Sequence, residues 1–265
     1  MKLILFIILI FNWVAFSQNK ALNDKTKIDN MIKKNEPFEN SIYAIISFPK
    51  NDIDSLENNI EYEVVIKGIN GTCFFVSPNR FITAYHCLNK FYAEKQIYFL
   101  INNNGNIING VQIEEENSIT DMCVGKIETS IDHYCKFPKT SLTFRECQEF
   151  VAYGYSRNET QYLRMKILKV DNKLRIIEHD PLILKKIEYK FIRPLFLNNH
   201  LSNDLVPIHL KDCNVLIFDK SLESGFSGGP TFNKETNEVI GFASQDIYFE
   251  NLKDPVMVVI PITVK

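Results

Sequence analysis

Short apolar runs follow one another along almost the whole chain. Ile, Val, Phe and Tyr gather in stretches of a few residues, and Asn, Gly, Asp and Pro break them. Runs of this length, rich in β-branched and aromatic residues and bounded by turn formers, predict strands rather than helices. The first half gives Ser41–Phe48, Tyr62–Lys67, Cys73–Val76, Phe81–Ala84, Gln96–Asn102, Ile107–Ile113, Met122–Ile127 and Glu149–Tyr155. Asn104-Gly105 falls between two of these runs and marks a hairpin, because both residues accept the positive φ of a tight turn. The second half gives Tyr162–Val170, Leu174–Glu178, Lys186–Arg193, Val215–Phe218, Pro230–Phe232, Val239–Ala243 and Val256–Ile260. Helical spacing of apolar residues is almost absent, so the pattern predicts an all-β sandwich or barrel. Residues 18–40, rich in Asn, Lys and Asp, read as a short helix or a loose lead-in. Polar and turn residues over Ser130–Thr143 suggest a division between two strand series.

The N-terminus departs from the strand pattern. Lys2 precedes an apolar run from Leu3 to Phe11, and Ala15-Phe16-Ser17 stand before Gln18. A charged start, a short apolar stretch and small residues describe a secretory signal peptide over residues 1–17. A spanning helix needs about 20 apolar residues, more than this run or any later one supplies. The expected mature protein is secreted or periplasmic, with no stable membrane span after signal cleavage. Export changes how Cys73, Cys87, Cys123, Cys135, Cys147 and Cys213 read. None forms a C-x-x-C pair, which argues against zinc knuckles and thioredoxin-like motifs. An oxidising compartment allows up to three disulfides among these six. Cys123 lies inside an apolar run and reads as a small buried residue.

Charge narrows the partners. A net charge of −2 and a pI near 6.2 argue against nucleic acid held through its phosphates. The basic stretch from Arg164 to Arg193 has acidic residues interspersed and reads as a solvated strand face.

The candidate chemistry lies in three segments. Glu223-Ser224-Gly225-Phe226-Ser227-Gly228-Gly229-Pro230 sets a serine between glycines, which permit a tight turn and close approach of a substrate to the backbone. Of five histidines, His86, His133, His179, His200 and His209, only His86 ends a predicted strand and begins a turn. Asp121 stands at the start of the apolar Met122-Cys123-Val124, where a shielded carboxylate can fix the tautomer of an imidazole. Gly225-Phe226-Ser227-Gly228-Gly229 also fits G-x-S-x-G, the nucleophile elbow of α/β-hydrolases. Those enzymes place histidine after serine and alternate strands with helices. Here the last histidine is His209 and helices are scarce, so that reading fails. The order is His86, Asp121, Ser227.

In that order the segments resemble those of trypsin-like serine peptidases. Gly71-Thr72-Cys73-Phe74-Phe75-Val76 and Thr83-Ala84-Tyr85-His86-Cys87 are similar to the G-[ST]-G-F-x-[VI] and T-A-[AG]-H segments of the family. Asp121-Met122-Cys123-Val124 resembles D-[IL]-A-[LV], and Gly225-Phe226-Ser227-Gly228-Gly229-Pro230 resembles G-[DN]-S-G-G-P. Val239-Ile240-Gly241-Phe242-Ala243-Ser244 resembles the strand that follows. The likeness covers roughly residues 41–265, and its flavour is bacterial, HtrA-like or glutamyl-endopeptidase-like. It implies two six-stranded antiparallel β-barrels, 41–139 and 140–265, with the active site in the cleft between them and an N-terminal extension at 18–40. It also implies a protein or peptide substrate and no cofactor or metal. Ser227 would be the nucleophile, His86 the general base and acid, and Asp121 its orienting partner. The backbone N–H groups of Gly225 and Ser227 would form the oxyanion hole, Ser244 would support Asp121, and Ser244, Gln245 and Asp246 would pair with the substrate main chain.

The departures from the family pattern carry further expectations. Phe226 replaces the Asp that pairs with a newly cut N-terminus in animal digestive enzymes, so that ion pair is not needed. Tyr85 and Cys73 replace small residues. Cys87 matches a disulfide position whose usual partner is here Gly71; the resemblance then implies Cys73, two residues on, as a substitute partner. Ser221 and Leu222 match the primary specificity pocket, where no Asp waits for Arg or Lys, and a small or apolar side chain is expected there. A catalytically idle binding or regulatory module on the same fold, and an esterase, are the alternatives.

Overall fold

Backbone pairing separates the strands into three sheets. The first half carries β1 (Ile42–Pro49), α1 (Lys50–Asp54), β2 (Glu61–Lys67), β3 (Gly71–Ser77), β4 (Arg80–Ala84) and α2 (Lys90–Ala93). It continues with β5 (Gln96–Ile101), β6 (Ile107–Ile108), β7 (Gln112–Asn117) and β8 (Met122–Lys126). The second half carries β9 (Glu149–Tyr155), β10 (Tyr162–Val170), β11 (Lys173–His179), β12 (Leu184–Leu197), β13 (Cys213–Phe218), β14 (Pro230–Asn233), β15 (Val239–Ile247) and β16 (Val256–Pro261). This computed structural model describes residues 38–138, 143–156, 162–197, 213–248 and 254–262. The expected signal peptide, most of the 18–40 segment, His200 and His209 lie outside the described residues.

The second-half strands β12-β13-β16-β15-β14-β9 close into a six-stranded antiparallel barrel. Its interior is filled by Phe150, Phe191, Phe218, Tyr189, Met257 and Val259. Phe150 and Phe218 meet edge to face at 5.3 Å, a geometry that the ring quadrupole favours. The first-half sheet runs β6-β5-β1-β3-β4-β8-β7 and curls without closing. Its centre is covered on both faces: Ile42, Ile45, Phe74, Phe75 and Phe81 have no exposed surface. The fold is all-β and has the double-barrel form that the sequence led us to expect, with the first barrel left open.

One strand departs from that division. β2 leaves the first sheet and pairs antiparallel with β10, which pairs with β11, so these three form a separate small sheet. Asp171 and Asn172 both take positive φ, 50° and 60°, in the tight turn joining β10 to β11. On β10, Leu163, Met165 and Ile167 are buried while Tyr162 and Arg164 face solvent. Lys169 is the exception on this basic stretch. It is buried, and its Nζ donates to the carbonyls of Ile53, Asp54 and Leu56 at 3.0–3.1 Å. It thereby caps the C-terminal end of α1, where free carbonyls favour a cation.

Several boundaries differ from the sequence reading. Ile107–Ile113 splits into β6 and β7 around Gly110, whose φ is +71°. β12 runs well past both expected ends, with a register shift between Phe191 and Arg193 that accommodates its Pro194. The short helices α1 and α2 were not visible as periodicity, because four or five residues give too few repeats to register.

Candidate active site

Strand pairing brings His86 to Asp121. β4 and β8 run antiparallel with Ala84 opposite Met122, so the turn leaving β4 lies beside the residue entering β8. The Tyr85 N–H donates to the Asp121 carbonyl at 2.9 Å, and the His86 N–H donates to Asp121 Oδ1 at 3.1 Å. His86 Nδ1 stands 2.9 Å from Oδ2 of the same carboxylate. Asp121 itself has φ +48°, a left-handed conformation that aspartate tolerates better than most residues. The backbone bond from Tyr85 holds it there.

Asp121 has no exposed surface, yet all its carboxylate contacts are donors. Ser244 Oγ donates to Oδ2 at 2.6 Å from across the molecule. Burial alone would raise the Asp121 pKa, but the bonds from His86 and Ser244 outweigh it and hold the group below its ordinary value. For His86, burial disfavours the imidazolium; the neighbouring Cys87 sulfur and the Asp121 carboxylate more than offset this and raise its pKa. A carboxylate on the Nδ1 side puts the ring proton there and leaves Nε2 as the basic nitrogen.

Ser244 reaches Asp121 because β15 is irregular at that point. The register of β15 against β16 shifts between Ala243 and Gln245. Such a bulge breaks the period of two and re-aims the side chains after it. Ser244 then points into the buried site, while Gln245 and Asp246 both line the cavity beyond it.

The Ser227 segment is shaped by a turn and by two close approaches. Phe226 N–H donates to the Glu223 carbonyl at 3.1 Å, closing a four-residue turn with Gly225 at φ +93°. Positive φ at the third position is the signature of a type II turn. A type I turn would flip the Ser224–Gly225 peptide and aim its N–H elsewhere. Thr72 locks this arrangement. Its Oγ1 donates to the Gly225 carbonyl at 2.7 Å and accepts the Tyr155 N–H at 3.0 Å, while its N–H donates to the Ser227 carbonyl at 2.8 Å. Gly228 has φ +83°, and a Cβ there would lie 2.1 Å from Thr83 Oγ1 and 2.2 Å from the Thr72 carbonyl. Neither the Gly225 N–H nor the Ser227 N–H donates to an acceptor among the described residues.

His86 and Ser227 line one open cavity of about 340 Å³, together with Ile69, Asn70, Leu222, Glu223, Ser224, Gly225, Gln245 and Asp246. Of the two residues expected in the specificity pocket, Leu222 lines this cavity. Ser221 is exposed and does not line it, and its carbonyl accepts a bond from Tyr189 Oη at 3.5 Å. His133 lines a different cavity, and His179 Nδ1 pairs with the Asp180 carbonyl at 2.7 Å. Neither approaches Ser227 in this lining.

A family model described as a trypsin-like peptidase domain matches residues 71–242, more than half of the chain. The chain belongs to the trypsin-like peptidase family. This makes it a serine endopeptidase, with protein or peptide as the substrate class. Among solved structures, it is similar to the active form of the Rv3671c protease from M. tuberculosis. The identity is 14% and the TM-score 0.53, over 84% of this chain and 77% of that one. An inactive form of the Rv3671c protease gives 13% identity and a TM-score of 0.51, over 84% of each chain. The serine endoprotease from Yersinia pestis gives 15% identity and a TM-score of 0.51, over 83% of this chain and 58% of that one. At such identities the likeness concerns the fold. No curated protein matches the chain.

Within this peptidase domain two expectations meet different fates. Phe226, standing where digestive relatives carry an acid, has no exposed surface and packs in the second-barrel core. It anchors the serine turn by burial of a large aromatic side chain, in place of an ion pair. The expected Cys73–Cys87 bridge is not formed: all six cysteines are free thiols. Cys87 Sγ instead occupies the space above Gly71, 2.3 Å from where a Cβ would stand, and donates to the Ser227 carbonyl at 3.5 Å. Cys73 lies in the strand row Cys73–Thr83–Cys123. There, burial and the neighbouring Cys87 and Cys123 push its pKa well up.

The sequence reading missed two functional features. Thr72 appeared only as a letter in a motif, because its role depends on Gly225 and Tyr155, far away in the chain. Asp246 was expected to act through its main chain, yet its carboxylate faces the cavity and accepts the Leu222 N–H at 2.6 Å.

Proposed function

We propose that this peptidase is exported and hydrolyses peptide bonds through an acyl-enzyme on Ser227. Ser227 Oγ attacks the scissile carbonyl carbon while His86 Nε2 takes its proton. The carbonyl π pair moves to oxygen, and the resulting oxyanion is received by the N–H groups of Gly225 and Ser227. His86 then gives its proton to the leaving nitrogen as the C–N bond breaks. Water repeats the sequence on the ester and restores the serine. Asp121 keeps the proton on Nδ1 and stabilises the transient imidazolium.

The observation that carries this reading is the shielded Asp121 carboxylate. It is held by Ser244 and the His86 backbone, is bonded to His86 Nδ1, and lies behind a cavity that His86 shares with Ser227. An unused carboxylate has no reason to be buried and saturated with donors in this way. Export rests on the N-terminal Lys2 and the apolar run after it. No helix among the described residues is long and apolar enough to cross a membrane.

Labelling with a fluorophosphonate probe tests the chemistry. Wild-type protein is expected to label at Ser227 and to lose all labelling as Ser227→Ala. A folded wild type that neither labels nor cleaves peptides is the outcome a binding module would give.

A further inference from the structure

The cavity beside Ser227 is acidic, and one of its acids has no cation among the described residues. Its charged lining consists of His86, Glu223 and Asp246. Glu223 is already paired with Lys185 Nζ at 2.8 Å. Asp246 makes no ion pair among the described residues. One of its oxygens accepts the Leu222 N–H at 2.6 Å, and the other takes no partner there. The bond to Leu222 is informative because it ties β15 to the segment leading into the serine turn. It fixes the carboxylate in the wall of the cavity that Ser227 also lines.

We propose that Asp246 determines specificity by binding the lysine or arginine side chain of the substrate residue whose carbonyl Ser227 attacks. This rests on the serine peptidase mechanism above and replaces the small or apolar preference expected from Ser221 and Leu222. Three physical points favour a cation. An apolar side chain entering the cavity would strip water from a half-buried carboxylate and give nothing in return. An acidic side chain would meet both Asp246 and Glu223. A guanidinium or ammonium group supplies donors to the free oxygen while Leu222 keeps the other in place. Burial also raises the Asp246 pKa to about 6, as expected for a carboxylate that is poorly solvated yet still ionised at neutral pH.

The sequence hid this because Ser221, not Asp246, matches the position at which a trypsin-type acid would stand. The structure places an acid in the cavity wall at Asp246, on the part of β15 that follows the bulge at Ser244.

The test uses the purified protein and fluorogenic peptides that differ only in the residue before the cleaved bond: Arg, Lys, Ala, Phe or Glu. Arg and Lys substrates are expected to exceed Ala and Phe in kcat/KM by about ten- to a hundredfold, the worth of one charge-assisted hydrogen bond, with Glu lowest. In Asp246→Asn, which keeps an oxygen for Leu222, the Arg-to-Ala ratio should fall by a similar factor. Benzamidine should compete with substrate on wild type, and benzyl alcohol should not, a readout that needs no variant. A wild type that labels with fluorophosphonate but prefers Phe or Ala overturns the Asp246 assignment alone. So does an unchanged ratio in Asp246→Asn. Absence of both labelling and hydrolysis overturns this assignment and the peptidase mechanism together.

Discussion

Replacing Thr72 with valine tests whether the serine turn is held from the first sheet. Valine has nearly the shape of threonine, so packing is kept while the hydroxyl is lost. Thr72 is fully buried, and its Oγ1 serves two groups: it donates to the Gly225 carbonyl at 2.7 Å and accepts the Tyr155 N–H at 3.0 Å. The Tyr155 N–H would be stranded away from water, and the half-buried Gly225 carbonyl would lose its donor. An unsatisfied buried polar group costs about 1–3 kcal/mol, so Thr72→Val should lose about 2–4 kcal/mol of stability once partial relaxation is allowed. The Gly225–Phe226 peptide also loses the bond that fixes its orientation, next to the Ser224–Gly225 peptide that carries the oxyanion N–H. Because a misaimed oxyanion donor costs about a hundredfold or more in rate, kcat should fall about ten- to a hundredfold, with a smaller change in KM. Urea unfolding gives the first quantity and steady-state hydrolysis the second. Thr72→Ser keeps the hydroxyl and should cost only the buried methyl, about 1 kcal/mol. If Thr72→Val unfolds within about 0.5 kcal/mol of wild type and turns over at the same rate, the clamp argument fails.

The pH profile and one glycine give further checks. In the proposed mechanism neutral His86 is the active form, so kcat/KM should be full above its pKa and fall as pH drops through it. Because that pKa is raised in the folded protein, the acid limb should lie above the ordinary imidazole value of about 6.5. Asp121→Asn should lower kcat by about 10⁴ and move the residual limb to lower pH; a wild-type limb at or below 6.5, or one unmoved in the variant, contradicts the assignment. Gly228→Ala forces an L side chain to φ +83° and drives its Cβ into Thr83 Oγ1 and the Thr72 carbonyl. Thr83 Oγ1 is itself bonded to that carbonyl at 2.7 Å and cannot step aside. Fluorophosphonate labelling should be lost and the thermal midpoint lowered by several degrees; a variant that labels and melts like wild type rules out the close approach.

Much of this molecule could be read before folding. Short apolar runs bounded by turn formers mark where the strands lie, and the order of His86, Asp121 and Ser227 narrows the chemistry, because both properties are local or purely sequential. Phe226 could likewise be seen to lack a charge. Where a strand goes, and where a side chain points after an irregularity, depends on neighbours that no window of sequence contains. The apolar pattern of β2 gives no sign that its partner is β10, nearly a hundred residues away along the chain. Thr72 acquires its role only when Gly225 and Tyr155 arrive on either side of its hydroxyl. Cys87 turns to the empty space above Gly71 instead of bonding to Cys73, a choice made by the room that a missing side chain leaves. The shift of β15 at Ser244 sends that hydroxyl to Asp121 and the Asp246 carboxylate to the cavity wall. The residue types that do chemistry were thus set by the sequence, whereas their aim was decided by tertiary pairing, which alone fixes the direction of a side chain where the regular alternation stops.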